Sequence, residues 1–194
     1  QGGLVIAPHP FSLHCPSLKD QIDKLDIDGI EVLNGGHIDD YSNSEAARVA
    51  ETEKWARMGG SDSHCLKTIG SSYTEFEGRT AEDLRRSILE KTTSAGGDVI
   101  PLTNAIAWSV GVVVHSDILM LRSLMGIDKE ETEDPILLKV RAMSTYQKIA
   151  ALFGSIVYLT PPIPFLVGMT SKRLFRKWAA NERAEGHGMG PVWP

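Results

Sequence analysis

Cysteine is nearly missing from this chain. Cys15 and Cys65 are the only two in 194 residues, too few for a disulfide framework, and the opening residues carry no secretory signal. A reducing cytoplasm is the expected location. A basic excess is missing as well: the formal net charge is -5 and the pI near 5.7, which disfavours a surface that clings to nucleic-acid phosphates throughout and leaves only a local basic patch open. The initiating methionine is absent. Gln1 runs through Gly2-Gly3 straight into an apolar run, and this reads as the C-terminal portion of a longer protein. Charge is wholly lacking from Ile149 to Met169, a run about as long as a bilayer is thick.

What is present is an ordinary folded composition, 42% hydrophobic, in a chain long enough for one large or two small domains. Leu4 to Ala7, bounded by glycines and Pro8, reads as a buried strand with His9 at its carboxyl end. Ser17 to Leu25 has apolar residues at helical spacing (Leu18, Ile22, Leu25) behind Ser17 as N-cap. A second strand, Ile30 to Leu33, ends in the turn residues Asn34-Gly35-Gly36, and an alanine-rich helix is expected over Ser44 to Met58. Next comes Gly59-Gly60-Ser-Asp62-Ser-His64. Tyr73 to Phe76 alternates like a strand, Thr80 with Asp83 forms a capping box for a helix reaching about Thr92, and Gly96-Gly97 closes the unit. Strand, helix, strand, helix, strand with short links is the pattern of a parallel α/β fold, whose ligands gather at the carboxyl ends of the strands.

His9, Glu31 with Asn34, and Asp62 with His64 all fall at that end. Residues two apart on an extended strand face one side, so Asp62 and His64 can present an oxygen and a nitrogen to one metal ion; a hydrogen-bonded pair or a solvated turn is the plainer alternative. Glu31 can reach a metal or a ligand histidine, or anchor the strand-end loop. Asn34 reads as a turn residue, Lys67 as a solvated loop lysine, and His14 with Cys15 as a loop histidine and a small buried thiol before a soft ligand pair. His37 and His115 have no partner that the sequence identifies, and His187 lies in a loose tail.

The succession Leu-Val-Ile-Ala-Pro-His9-Pro10-Phe11, Gly29-Ile-Glu31-Val-Leu-Asn34 and Gly59-Gly60-Ser-Asp62-Ser-His64, with Ile69-Gly70 beyond, resembles the C-terminal half of the PHP family, the polymerase and histidinol phosphatase domain. The resemblance covers residues 1 to about 90. It implies the C-terminal part of a distorted, seven-stranded TIM-like barrel that holds two or three divalent metals (Zn, Mn or Fe) and hydrolyses phosphate esters. His9 matches the family's Ala-x-His-Pro-like motif and Asp62 and His64 its final Asp-x-His, so the resemblance implies His9, Asp62 and His64 as metal residues, with Asp62 and His64 catalytic; Glu31 joins them as a candidate metal residue whose alternative is the loop anchor. The family's opening His-x-His and its following ligands lie upstream of Gln1, so this stretch supplies half a site. The implied substrate is a small phosphorylated metabolite or a single-stranded nucleic-acid end.

Residues 1–97 are thus expected to be the PHP portion and 98–194 a helical, apolar extension outside it. Ala105 to Gly126 is apolar, and Asp134 to Phe153 is a helical stretch with Pro135 in its first turn. Pro161, Pro162 and Pro164 break the uncharged run into pieces too short to cross a bilayer alone. Lys172, Arg173, Arg176 and Lys177 follow on a helix with Leu174, Phe175 and Trp178. The reading preferred from sequence is a helical hairpin packed on the catalytic domain; its alternative is peripheral attachment of 149–178 to an anionic membrane. The alternative for the whole chain is a non-catalytic module serving assembly or membrane attachment.

Overall fold

The computed structural model describes residues 2–127 and 131–185. Two units make it up. Residues up to Leu102 join those from Ser171 onward, and Thr103–Thr170 form the other.

The first unit is built on three parallel strands lying side by side in chain order: β1 (Ile6–Ala7), β2 (Gly29–Asn34) and β3 (Ala56–Gly60). Parallel neighbours need a crossover, supplied first by a 3-10 turn at Lys19–Lys24 and then by α1 (Ser42–Val49). Ile30 on β2 and Ala56 on β3 are both fully enclosed. The register of β2 on β3 slips between Glu31 and Leu33, a bulge just where the chemistry-bearing side chains begin.

Two expected helices are corrected here. The one over Ser44–Met58 is shorter and earlier: α1 ends at Val49, a 3-10 turn covers Ala50–Thr52, Glu53 reverses the chain at φ 55°, and Met58 lies in β3. Alanine favours helix, but backbone pairing of Ala56 with Gly29 outweighs that preference. The start is fixed by Asp39, whose Oδ1 accepts the N–H groups of Tyr41 and Ser42 at 2.9 and 2.6 Å; the Ser44 hydroxyl instead donates back to the carbonyls of Asp40 and Tyr41. Likewise Ser17–Leu25 holds only the 3-10 turn, because Ser17 donates to the Ser12 carbonyl and Lys19 enters at φ 45°.

Beside β3 stands an antiparallel pair, β4 (Ser72–Glu75) and β5 (Ser94–Gly97), joined through α2 (Ala81–Leu89). The Thr74 hydroxyl stitches it to β3, accepting from Gly59 N–H at 3.0 Å and donating to its carbonyl at 2.9 Å. The Thr80–Asp83 capping box is present, and α2 stops at Leu89 rather than Thr92, with Lys91 at φ 57°. Gly96-Gly97, expected from sequence to close the unit, are strand residues. A Cβ on Gly96 would stand 2.7 Å from the Tyr73 ring, and one on Gly97 would collide with the Ser71 carbonyl. The result is a mixed α/β unit with small sheets, and no barrel closes among the described residues.

The second unit is helical: most of α3 (Leu102–Leu124), then α4 (Pro135–Ala142), α5 (Thr145–Leu159) and the first part of α6 (Ile163–Glu185). The single helix expected over Asp134–Phe153 is two, since Ser144 opens a new capping box with Gln147. Pro135 does occupy the first turn of α4, behind Asp134 as N-cap. From Ser171 on, α6 belongs to the first unit. There Ala179 enters the core of Phe11, Leu13, Ile22, Ile30 and Trp55, with Phe175 and Trp178 packed against it, and Lys19 Nζ meets Glu182 Oε1 at 2.6 Å.

Candidate metal centre

Asn34 is the hub of the strand-end site. It is 1% exposed at the end of β2, and its Nδ2 donates to Glu31 Oε2 at 3.0 Å and to Asp62 Oδ2 at 3.2 Å. The Glu31 carboxylate on β2 and the Asp62 carboxylate two residues past β3 therefore lie within two hydrogen-bond lengths of each other. Its Oδ1 accepts Gly36 N–H at 2.9 Å, the turn role expected from sequence, and its backbone is clamped by Asn43 through two bonds of 2.9 Å. Glu31 Oε2 also accepts the backbone N–H of His9 at 2.8 Å, so this carboxylate anchors the loop after β1. Gly60 makes room for it: a Cβ there would stand 2.5 Å from Glu31 Oε1. Burial raises the Glu31 pKa, and the bonds from Asn34 and His9 only partly offset this.

His9 and Asp62 sit on strained backbone, with φ of 31° and 46°, in a region L-residues seldom occupy. Asp62 and His64 are both exposed. His64 Nδ1 lies 2.8 Å from the Asp62 carbonyl, which can only accept, so Nδ1 carries the proton and Nε2 the lone pair. The structure thus joins Glu31, Asn34, Asp62 and the His9 backbone, and ties His64 to the same turn through a main-chain atom. Among the described residues no three His, Cys, Asp or Glu side chains form one group able to hold a metal. The donor chemistry nonetheless suits part of a hard divalent site: paired carboxylates with imidazole nearby, and a desolvated Glu31 whose charged form a cation would favour.

Sequence reading missed the cluster behind His9. The Asp39 carboxylate accepts from four groups, the fourth being His14 Nε2 at 2.8 Å. Burial alone would raise the Asp39 pKa; the bonds from His14 and Ser42 outweigh it and hold the carboxyl at about 2. His14 stacks on His37 at 5.0 Å, and His37 tilts toward His9 at 5.7 Å. His37 Nε2 meets Ser12 Oγ at 3.1 Å, while its Nδ1 is buried with no hydrogen-bond partner among the described residues. Burial, then the nearby His14, lowers the His37 pKa to about 4, so it is neutral at ordinary pH. Ser12 Oγ also accepts the N–H groups of His14 and Cys15, and Cys15 Sγ lies 3.5 Å from His9 Nδ1. His14 and Cys15 are therefore packed supports of the His9 loop. The available signal was Gly36-His37-Ile-Asp39, directly after the Asn34 turn.

A family model described as PHP-associated matches residues 40–93, the stretch that carries α1, β3, Asp62 and His64. An uncharacterized protein of Methanocaldococcus jannaschii, MJ1588, is 34% identical over 117 residues, 60% of this chain and 98% of that protein. The chain belongs to the PHP family. It carries a C-terminal region of that family, as the resemblance in His9, Glu31 and Asp62-x-His64 implied. A second relative from the same organism, the uncharacterized protein MJ1587, is 54% identical over 46 residues, 24% of this chain and 27% of its own length. No solved structure matches. The match to MJ1588, at 117 residues, is too long to fit within the segment ending at Leu102, so the likeness takes in part of the helical unit as well as the PHP region.

Proposed function

We propose that this chain is the C-terminal part of a metal-dependent phosphoesterase, its sheet one side of a PHP-type barrel that an upstream segment completes. The observation that carries the reading is the Asn34 bridge, which draws Glu31 and Asp62 together at the carboxyl ends of adjacent parallel strands. His9, Asp62 and His64 would bind divalent ions, two or three in the complete site, of zinc, manganese or iron, with Glu31 as ligand or as anchor of the His9 loop. Bound there, such ions supply a hydroxide near neutral pH and draw charge from a phosphoryl oxygen. The chain's own part is positional. Glu31 holds the His9 backbone, Asn34 keeps the two carboxylates from parting, and the Asp39–His14–His37 stack supports the loop from behind. A small phosphorylated metabolite or a single-stranded nucleic-acid end suits the acidic charge balance.

The test is manganese- or zinc-dependent release of phosphate from an aryl phosphate and from a short oligonucleotide, using the full-length gene product. Asp62→Ala combined with His64→Ala is expected to lower the rate by about a hundredfold or more; unchanged activity overturns the assignment. The lack of a complete ligand group among the described residues favours a second reading, a non-catalytic PHP-derived module. Tight metal binding by the full-length protein, lost in the same double variant, separates the first reading from the second.

A further inference from the structure

We infer that Thr103–Thr170 crosses a lipid bilayer twice: α3 passes across and the α5–α6 pair returns. This stands apart from the phosphoesterase reading. In α3, 23 residues long and so about 34 Å, only Ile106 and Met120 are buried. Val112, Val114, Ile118 and Leu121 are all exposed and lie on more than one side of the helix. A helix with apolar residues on more than one side and little protein over them suits hydrocarbon and not water. Its acidic and basic residues, Asp117 and Arg122, sit in the C-terminal third, and Leu102 to Ser116 carries no Asp, Glu, Lys or Arg. The return segment is uncharged from Ile149 to Ser171 and exposes Phe153, Ile156, Phe165 and Leu166. It bends by 84° between α5 and α6, at Pro161-Pro162, so it is a broken span in which each piece is tilted.

Hydroxyls in these helices satisfy themselves internally, as hydrocarbon demands: Ser155, Thr160 and Thr170 each donate to the carbonyl four residues back, and Ser109 shares a 2.8 Å bond with Tyr158 between α3 and α5. Lys172, Arg173, Arg176 and Lys177 begin where the uncharged run stops, at the depth of anionic headgroups.

The number of crossings is fixed by the chain itself. Residues before α3 and residues after Ser171 belong to one folded unit, joined by Lys19–Glu182 and by Phe175 lying 4.0 Å from the His14 ring. Both ends of the helical unit must therefore emerge on the same face of the bilayer. A single crossing by α3, with α5–α6 dipping in and out as a re-entrant loop, would tear that unit apart. Two crossings preserve it, with the candidate metal centre and the basic residues after Ser171 on one and the same face.

The test uses the full chain, made with Cys15→Ser and Cys65→Ser, in intact cells and inverted vesicles. It is expected to resist alkaline carbonate and to leave the membrane only in detergent. A membrane-impermeant maleimide should label Thr132→Cys from the side opposite to Glu82→Cys and Lys177→Cys, and Val114→Lys with Ile118→Lys should abolish carbonate resistance. Release by carbonate overturns the proposal, as does labelling of all three positions from one side, or a detergent-free soluble oligomer that would assign the apolar surface to a second copy.

Discussion

In the first unit Ile22, Ile30 and Trp55 are 1%, 0% and 2% exposed, whereas in the second Phe153 and Ile156 stand at 70% and 66%. The polar groups run the other way. Asn34, Asp39 and His37 are buried in the first unit but bonded into a network that fixes three strand-end loops, while the hydroxyls of the second are folded back onto their own helices. One unit is organised against water from a centre outward, and the other is organised against its surroundings along each helix. Contributions to stability should therefore be large at single buried positions in the first and nearly absent at the exposed apolar positions in the second.

The strongest way to break that contrast is Ile30→Ala against Ile156→Ala in the detergent-solubilised chain. Ile30 is wholly enclosed between β1 and β3, so its truncation should cost about 3–5 kcal/mol in denaturant unfolding of the first unit. Ile156→Ala should stay within about 0.5 kcal/mol, because its side chain has little protein to lose. Equal losses would mean that the helices pack as a second core.

The contrast also explains what the sequence made legible. His9, Glu31, Asp62 and His64 announce themselves because strand ends and two-residue spacings are local properties. Ser12, His37 and Asp39 did not, because their roles exist only once the loop after β1 closes on the turn after β2, 25 residues away. β5 was hidden because a glycine pair carries no strand pattern, and only the approach of Tyr73 and Ser71 reveals why glycine is needed there. The helix carrying Lys172 to Trp178 was readable from its amphipathic pattern, yet nothing in that pattern names Phe11, Ile22 and Trp55 as the core it joins.

Acid should weaken the first unit in two steps, together worth a few kcal/mol, since each tenfold difference in proton affinity between folded and unfolded chain is worth about 1.4 kcal/mol. His37 is held neutral with a pKa of about 4, against 6.5 when unfolded, so the unfolded chain takes up a proton that the folded one refuses. Its contribution is complete above 6.5 and disappears as pH falls toward 4. Asp39, depressed to about 2 from 3.8, contributes above 3.8 and loses that as pH falls toward 2. Urea midpoints measured from pH 7.5 to 2.5 should drop across both windows, and His37→Gln should remove the upper drop alone. A flat profile above pH 4 would show that His37 opens to solvent.

A smaller effect sharpens where the boundary falls. Lys19 and Glu182 meet at 2.6 Å with Glu182 7% exposed on its side chain, so a double-mutant cycle with Lys19→Met and Glu182→Gln should return a coupling of about 1–2 kcal/mol in the unfolding of the first unit. No coupling would detach residues 171–185 from that unit, and with them the requirement for an even number of crossings.

The smallest test uses one device that both units share. Thr80 accepts the Asp83 N–H at 3.1 Å to open α2, and Ser144 accepts the Gln147 N–H at 3.2 Å to open α5. Each cap is worth about 1 kcal/mol to its own helix. Thr80→Ala should lower the unfolding free energy of the first unit by that amount, because α2 connects β4 to β5 and cannot fray without disturbing their pairing. Ser144→Ala should leave that transition where it is and appear only as faster amide exchange at Thr145 to Lys148, since a helix held by its surroundings opens locally. If Ser144→Ala instead moved the first unit's midpoint as far as Thr80→Ala does, the two units would unfold as one, and the opposed treatment of apolar surface would belong to a single cooperative fold.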